Sequence, residues 1–304
     1  MAETNKANSE LNSILLASKF SGELDKIVTQ KSVTGFFADN IFRAKFVGAQ
    51  TVIVPDIDFV GLANYNHDTG FAKGQTTIKQ ESYTLSKDRG RALQIDREDM
   101  DETGIANLAG QVLGEFVRTK VVPEMDAYVI SKLAGVAAKK EHSVAGWEGN
   151  EVFSKFTTAV NNVQGRAGFG EELVAFVNPA FYAALMNSTE ISRHITTSDF
   201  KQGEINLKVK SINGVAIIPV AADRMKTAYT FGDEGFEAAD GAKDIGLLVL
   251  PKKGASLVKK TETMRIFTPD QNKDADAYQF NYRLHYDVFV KKSNLDFIEA
   301  VVSA

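Results

Sequence analysis

Apolar residues recur at the spacing of one helix face over residues 99–140, the longest regular pattern in the chain. Residues three, four and seven positions apart lie on the same side of an α-helix. Asp99 followed by Glu102 is typical of a capping box, and Lys139 and Lys140 suit the negative end of the helix dipole. The pattern predicts a helix about three times the usual globular length. Its apolar positions are Ile105, Leu108, Ala109, Val112, Leu113, Phe116 and Val117, then Met125, Tyr128, Val129, Leu133, Val136 and Ala137.

Pro123 interrupts this pattern without ending it. A proline inside a helix removes one backbone donor, and its ring clashes with the carbonyl four residues earlier. The result is either a kink or a break followed by a second helix with proline in its first turn. The periodicity therefore leaves two interpretations open: one bent helix, or two ordinary helices packed on a core.

Alternating and continuous apolar runs predict the strands. Residues 278–290 alternate strictly between apolar and mainly polar positions, which indicates a long strand with one buried face and one solvent-facing face. Residues 187–210 are polar and are predicted to be loop-rich. The other predicted strands are 50–56, ended by Pro55, and 173–177, 214–220, 244–250, 264–267 and 295–302; helices are predicted at 152–163 and directly after Asn178-Pro179.

Two segments cannot form a core of their own. Residues 1–47 carry two short apolar clusters, so they must dock on the rest of the chain or on a neighbouring subunit. Residues 61–91 are rich in Gly, Asn, Lys, Thr, Ser and Asp and are too long for an ordinary connection. They predict an extended two-stranded arm reaching beyond the core. Disorder is the alternative that the composition leaves open.

Composition narrows the class of protein. The chain has 304 residues, no cysteine and a formal net charge of −4, so disulfides and thiolate metal sites are excluded. A slightly acidic chain without a Lys/Arg cluster does not favour a dedicated nucleic-acid binder. No apolar run approaches the length of about 18 residues that crosses a bilayer, and the polar N-terminus is unlike a signal peptide. We therefore expect a soluble protein that stays where it is made.

The sequence offers no catalytic constellation, and we predict no catalytic, cofactor-binding or metal-binding residues. The four histidines lie far apart without ligand spacing, and a surface role is expected for His285. Asp68-Thr69-Gly70 copies an aspartic-protease tripeptide, but a second copy is missing and a polar turn explains it better. Gly165, Gly168 and Gly170 do not form a dinucleotide motif. The other histidines are His67, His142 and His194, and the short basic pairs at 252–253, 259–260 and 291–292 are interpreted as solvated strand ends.

The order of these elements is distinctive: apolar arm, strand, long polar hairpin, very long helix, α/β unit and closing β-rich segment. It resembles the major capsid proteins of tailed bacteriophages, the HK97-like family, over nearly the whole chain. Local phrases support the resemblance, although none is a catalytic signature. They are VVPEMDAYVISKLA (121–134), VAFVNPAFYAALM (174–186) and INGVAIIPV (212–220).

The resemblance implies an α+β fold with five parts. Residues 1–47 would be the N-arm, 48–98 the extended E-loop, 99–140 the spine helix of the peripheral domain, 141–239 the axial domain and 240–304 the peripheral β-strands. Pentamers and hexamers of such subunits need head-to-tail contacts, and the arms would overlap neighbouring subunits. A flexing spine helix would accompany shell expansion, and Pro123 would localise the flexing.

The implied function is an icosahedral shell around the double-stranded DNA genome of a tailed bacteriophage. Implied partners are other copies of the chain, a separate scaffolding protein and a portal protein, with DNA enclosed without sequence-specific binding. The protein would be found in the virion, after assembly in the bacterial cytoplasm. A covalent Lys–Asn crosslink, for which Lys73 and Lys79 would be the arm residues, is not predicted, because none of Asn272, Asn281 and Asn294 aligns with the family motif. The alternatives are an encapsulin-like compartment and, in a different class, a soluble α/β enzyme.

Overall fold

The computed structural model describes residues 31–40, 45–48, 50–65, 67, 70–71, 73–74, 76–98, 105–147, 151–188, 195–202 and 205–304. The predicted capping box at Asp99 and Glu102, the first apolar cluster of the N-terminal segment and His194 lie outside these residues. The described strands are β1 Lys45–Val47, β2 Thr51–Asp58, β3 Thr77–Thr84, β4 Lys87–Asp96, β5 Ser143–Ala145, β6 Leu173–Val177, β7 Ile195–Gln202, β8 Ile205–Ile212, β9 Val215–Pro219, β10 Tyr229–Gly232, β11 Gly235–Ala238, β12 Ile245–Pro251, β13 Ala255–Phe267, β14 Ala277–Val290 and β15 Glu299–Val302.

The long helix is one continuous element, which decides between the two interpretations of the periodicity. Helix α1 (Ile105–Phe116) passes into a π-helical turn (Val117–Val121) and then into α2 (Val122–Lys139). The Val122 N–H donates to the Val117 carbonyl, five residues back. This wider turn ends two residues before Pro123, which can offer no N–H and whose ring needs space near the preceding turn. The π turn therefore lets the helix pass through the proline.

Two shorter helices follow the predicted pattern. Helix α3 (Val152–Ala167) ends at Gly168, whose φ of 99° few other residues adopt. Helix α4 (Pro179–Asn187) begins after Asn178, whose side chain accepts a hydrogen bond of 3.0 Å from the Ala180 N–H. Both were expected from the sequence, and both are confirmed.

A seven-stranded sheet forms the centre of the described chain, in the order β5-β15-β12-β6-β9-β8-β7. Its central strands are buried on both faces, as continuous apolar runs predict. Alternate residues of β6 divide between two cores: Val174 and Phe176 face α2, whereas Ala175 and Val177 face α3 and α4. The long helix therefore lies on one face of this sheet, and the two shorter helices lie on the other.

A second sheet, β13-β14-β4, covers the other side of α2. Phe280, Leu284 and Val288 of β14 belong to the same core as Met125, Ile130 and other buried residues of α2. The long helix is thus shared between two sheets. Because both sheets pack against the long helix, its buried apolar residues cover more of the helix circumference than a single apolar face would.

The polar arm is built from the third sheet, β1-β2-β3, in which both pairs are antiparallel. The prediction that Pro55 ends the first strand is wrong, because β2 continues to Asp58. Among the described residues, β1 pairs with residues 51–53 and Pro55 pairs with β3 alone, an edge position of the kind in which a strand tolerates proline. The predicted arm also extended too far, because residues 87–91 belong to β4 and pair with β14.

Three further predictions need correction. The described part of the segment 187–210 is mainly strand rather than loop: β7 and β8 form an antiparallel hairpin within residues 195–212. The last strand is shorter than predicted, since a 3₁₀ helix occupies Lys292–Phe297. Strand β14 has no continuous solvent-facing side, and His285 is buried rather than on the surface. Neighbouring β4 and β13 and the long helix enclose that half of the strand.

The division into five parts remains a prediction. Strands β12 and β15 come from the segment 240–304 yet join the sheet of β6 and β9, so this sheet draws on both sides of residue 240. Phe36 and Phe37, in a 3₁₀ helix at Gly35–Asp39, pack in the core beside Phe176, and the predicted docking of this part of the N-terminal segment is confirmed.

Candidate assembly surfaces

The residues that could carry chemistry remain scattered. No group of three or more His, Asp or Glu side chains is placed to hold a metal ion within the described residues. His67 is exposed on the arm, His142 is half-buried near the end of α2, and His285 is buried in β14. Gly70 lies in an isolated bridge on the arm, while Asp68 and Thr69 lie outside the described residues. In the part of the chain that the structure describes, no helix is long and apolar enough to cross a membrane.

The end of the arm carries an unusual concentration of exposed apolar side chains. Leu62 is fully exposed, and Phe71 is 87% exposed. Tyr65 and Phe71 contact each other edge to face, with ring centroids 5.0 Å apart. Contiguous exposed apolar patches on soluble proteins mark interaction sites. We call the set of six the arm tip: Phe59, Val60, Leu62, Tyr65, Phe71 and Ile78.

The root of the arm is fixed by one buried carboxylate, Asp287 of β14. Its oxygens accept hydrogen bonds from the Ser86 N–H at 3.0 Å, the Ser86 hydroxyl at 2.9 Å and the Tyr128 hydroxyl at 2.8 Å. The Lys132 ammonium forms an ion pair with the same carboxylate. Ser86 lies between β3 and β4, where the arm leaves the body. Asp287 therefore joins the arm root, the long helix and the second sheet.

Burial at this root affects Tyr128. The side chain is surrounded by Tyr286, Phe231 and two lysines, with the Lys87 ammonium 4.9 Å from its ring centroid. Burial raises the pKa of Tyr128, and the neighbouring Asp287 carboxylate raises this pKa further, so the phenol stays protonated and donates its hydrogen bond. The pKa of Lys87 is lowered by burial, with the Arg89 charge as the next cause.

A second buried carboxylate, Asp126, holds the N-terminal segment on the long helix. It accepts hydrogen bonds from the Ser32 hydroxyl at 2.6 Å, the Thr34 hydroxyl at 2.7 Å and the backbone N–H groups of Val33 and Thr34. Arg224 approaches the carboxylate at 3.4 Å. Burial raises the pKa of Asp126, and these donors oppose that effect. The segment entering the core at Phe36 is thereby anchored two residues before its first aromatic ring.

A mixed-charge cleft of about 730 Å³ lies beside the π turn, between β4 and the β10–β11 hairpin. Arg89 spans it: its guanidinium donates to Glu124 at 2.7 Å and to the carbonyls of Gly232 and Gly235. Arg89 thus ties the hairpin to the long helix one residue after Pro123. Several other charged side chains line the cleft, namely Arg91, Arg118, Lys120, Asp223, Arg224, Asp233 and Glu234.

Sequence reasoning missed both buried carboxylates. Asp126 lies between apolar positions of a helix, and Asp287 occupies a polar position of an alternating strand, so each looked like an ordinary solvent-facing residue. Ser32 and Thr34 gave no specific signal, because Ser and Thr hydroxyls near a turn commonly bond nearby backbone groups instead. The possible crosslink partners on the arm, Lys73 and Lys79, are both exposed, and their involvement in a covalent bond stays untested.

Comparison with known proteins identifies the fold. No protein-family model matches the chain, and no curated protein matches its sequence. Solved structures do match along most of its length. The match to the mature capsid of bacteriophage PhiM1 covers 84% of this chain and 82% of the capsid chain, at 15% identity and a TM-score of 0.53. The capsid of the cyanophage P-SCSP1u covers 86% and 85% at 13% identity and a TM-score of 0.56.

A third match comes from outside the bacteriophages. The match to a virus-like particle from Pyrococcus furiosus covers 94% of this chain and 98% of the particle's chain, at 13% identity and a TM-score of 0.51. The matches together show that the chain has the fold of shell-forming capsid proteins, which confirms the predicted HK97-like α+β fold.

Proposed function

We propose that this chain is the major capsid protein of a tailed bacteriophage and that it assembles into an icosahedral shell. The observation that carries the proposal is the arm, whose tip places six large apolar side chains in solvent, on a chain with a capsid fold. Burial of apolar surface is the main driving force for association. An arm of this kind gains stability only when another molecule covers its tip.

The position of the long helix supports the same function. It is packed between two sheets and is therefore a frame to which both the arm and the N-terminal segment attach, through Asp287 and Asp126. A subunit that contacts its neighbours head to tail must transmit load between its arm and its body. Two buried carboxylates at those attachment points supply fixed directions for the arm and the N-terminal segment.

The contents of the shell are proposed to be double-stranded DNA, held without sequence-specific contacts. A net charge of −4 does not favour tight phosphate binding, which depends on Lys and Arg contacts and on salt. The basic pairs support this interpretation, because one lysine of each pair forms an ion pair within the chain. Lys252 pairs with Glu172, Lys259 with Glu262 and Lys292 with Glu81. A scaffolding protein and a portal protein are the further partners we propose, with assembly in the host cytoplasm.

A second candidate keeps the fold and changes the cargo. The match to the virus-like particle from Pyrococcus furiosus spans almost the entire length of both chains, so the fold also serves in a particle that is not described as a phage capsid. We therefore keep an encapsulin-like compartment with a protein cargo as the alternative. Electron microscopy of the protein expressed with its neighbouring genes tests both. Shells filled with DNA in the presence of portal and packaging proteins support the capsid, whereas shells that co-purify with one enzyme support the compartment.

The soluble-enzyme alternative makes a different prediction. It requires a stable monomer or small oligomer with a ligand in a polar pocket, and ligand binding would raise its melting temperature. In the cleft beside the π turn, Arg89 is already bonded to Glu124 and to two hairpin carbonyls, and Arg91 is bonded to the Asp233 carbonyl. A compact monomer that persists with the scaffold protein supplied would overturn the shell proposal.

A further inference from the structure

We propose that the mixed-charge cleft beside the π turn is a binding site for a small aromatic carboxylate, a molecule with a ring and one anionic group. The cleft lies between the long helix, β4, β14 and the β10–β11 hairpin. Its volume of about 730 Å³ falls in the range of about 300–1,000 Å³ that is typical of small-molecule sites. Because these elements all belong to one subunit, the inference does not depend on the proposed shell function.

The observation that carries the proposal is the hydroxyl group of Tyr286 in β14. This side chain lines the cleft and is only 1% exposed. Its hydroxyl has no hydrogen-bond partner among the residues that the structure describes. Buried polar groups in folded proteins are nearly always hydrogen-bonded, and each exception needs an explanation. A ligand in the cleft that accepts a hydrogen bond from Tyr286 supplies that explanation.

A second buried donor lines the same cleft. Within the described part of the chain, the Nε atom of Arg224 has no acceptor, although another nitrogen of this guanidinium approaches Asp126 at 3.4 Å. A guanidinium can only donate hydrogen bonds. Burial raises the pKa of Tyr286 well above its ordinary value, so the phenol keeps its proton and can donate as well. Both positions lack an acceptor, and the cleft therefore favours a ligand that carries one.

The charges around the cleft favour a ligand with a single negative group. Arg118 and Lys120 of the π turn and Arg91 of β4 are exposed in its lining and give these walls a positive charge. The hairpin side carries the exposed carboxylates of Asp233 and Glu234. One carboxylate can face the basic walls, where charge-assisted hydrogen bonds are strong. A polyanion such as nucleic acid would also meet the acidic hairpin, which disfavours it.

Glu124 also lines the cleft, but its charge is already balanced. The Arg89 guanidinium donates to both oxygens of this carboxylate, at 2.7 and 3.3 Å. Although Glu124 lies near enough to Tyr286 to affect its pKa, the positive charge of Arg89 offsets the repulsion that Glu124 would exert on an anion. The Tyr286 hydroxyl can therefore donate to a ligand carboxylate.

The apolar part of the lining is the reason to expect a ring. Phe116 and Tyr282 contact each other edge to face beside the cleft, with ring centroids 6.0 Å apart. Leu93 and Leu284 line the same space. An aromatic ring placed against such side chains gains from apolar burial and from further edge-to-face contacts. A simple inorganic anion would leave this apolar surface uncovered, so the lining favours an aromatic acid.

Tyr286→Phe tests the site, because it removes only the hydroxyl. The probe is 2-naphthoate, and its binding to the unassembled full-length protein is measured by isothermal titration calorimetry. We expect one site per chain in the natural protein and a loss of about tenfold or more in affinity in the variant. Because the hydroxyl has no partner among the described residues, the melting temperature of the variant should stay equal or rise. The uncharged analogue 2-naphthalenemethanol should bind more weakly than 2-naphthoate.

The matched control is Tyr128→Phe, which removes the hydroxyl of a neighbouring tyrosine outside the cleft lining. The Tyr128 hydroxyl donates to Asp287 at 2.8 Å, so this variant should lose stability and keep its affinity for 2-naphthoate. The inference is overturned if the natural protein does not bind 2-naphthoate, or if Tyr286→Phe binds it equally well. A lower melting temperature of Tyr286→Phe would also overturn it, since the hydroxyl would then have a partner within the fold. Electron microscopy of assembled particles tests the shell function separately from each of these outcomes.

Discussion

Replacing Asp287 by asparagine is expected to loosen the arm root and destabilise the whole subunit. The side chain is fully buried and receives the Lys132 ammonium, the Tyr128 hydroxyl and both donors of Ser86. Asparagine keeps the shape but loses the charge, and its NH₂ group points a donor at other donors. Removing one partner of a buried ion pair costs about 3–5 kcal/mol. Since the Lys132 side chain is 36% exposed and can be rehydrated, we expect about 3 kcal/mol.

The assays are equilibrium unfolding of the unassembled protein in urea and thermal unfolding, both monitored by circular dichroism. At about 2.1 cal/mol/K per residue, a chain of this length should lose roughly 5 °C of melting temperature for that free energy. Amide hydrogen exchange at Ser86 adds a local measurement, because its N–H loses its acceptor. The control is Asp276→Asn at the exposed pair with Arg97, which should change stability by less than about 0.5 kcal/mol. Equal effects of the two variants would refute the assigned role of Asp287.

Three further predictions concern other parts of the frame. Asp126→Ala should free the N-terminal segment and speed tryptic cleavage after Lys31, because the Ser32 and Thr34 donors lose their acceptor; an unchanged cleavage rate would contradict the anchor. The hydrogen bond from Arg283 lowers the pKa of Asp88, so the ion pair stabilises the fold above about pH 4, and this contribution is lost as the pH falls through the lowered pKa. Because the pair is exposed, Asp88→Asn should remove a pH-dependent contribution of only about 0.2–1 kcal/mol, measured by urea unfolding at several pH values. Pro123→Ala should convert the π turn to regular helix, which cryo-electron microscopy of assembled shells would show. Variant shells that keep the π turn and expand normally would show that the proline neither causes the turn nor localises flexing of the helix.

Periodicity predicted the elements whose local pattern and final environment agree. The long helix, the strand at 173–177 and the helix after Asn178 each carry a strong local signal, and tertiary packing reinforces it. The π turn could not be predicted from the apolar pattern, because it depends on how the backbone accommodates Pro123. It leaves the surrounding apolar positions close to their helical spacing.

The errors came from contacts between distant segments. The solvent-facing side expected for β14 is covered at His285 and Asp287 by elements that lie far away in sequence. A polar residue in an alternating strand normally faces water, and only the fold shows that Asp287 faces Lys132. The hairpin at 195–212 was missed for a different reason. Its second strand does alternate from Ile205, but the alternation is short and the surrounding polar residues favour a loop.

The candidate assembly surfaces divide in the same way. A polar arm was predicted from its composition, whereas the cluster of apolar side chains at its tip required knowledge of which residues remain exposed. The small groove lined by Tyr83, Leu133 and Phe289 was not predictable, because its walls come from four separate segments between residues 82 and 295.

The most direct test of the shell proposal is electron microscopy of the purified protein, expressed with its scaffold protein under assembly conditions. The proposal predicts hollow, closed particles of icosahedral symmetry, with an arm from each subunit extending over a neighbour. A preparation that stays as compact monomers under these conditions, with the arm tip still exposed to solvent, would contradict it.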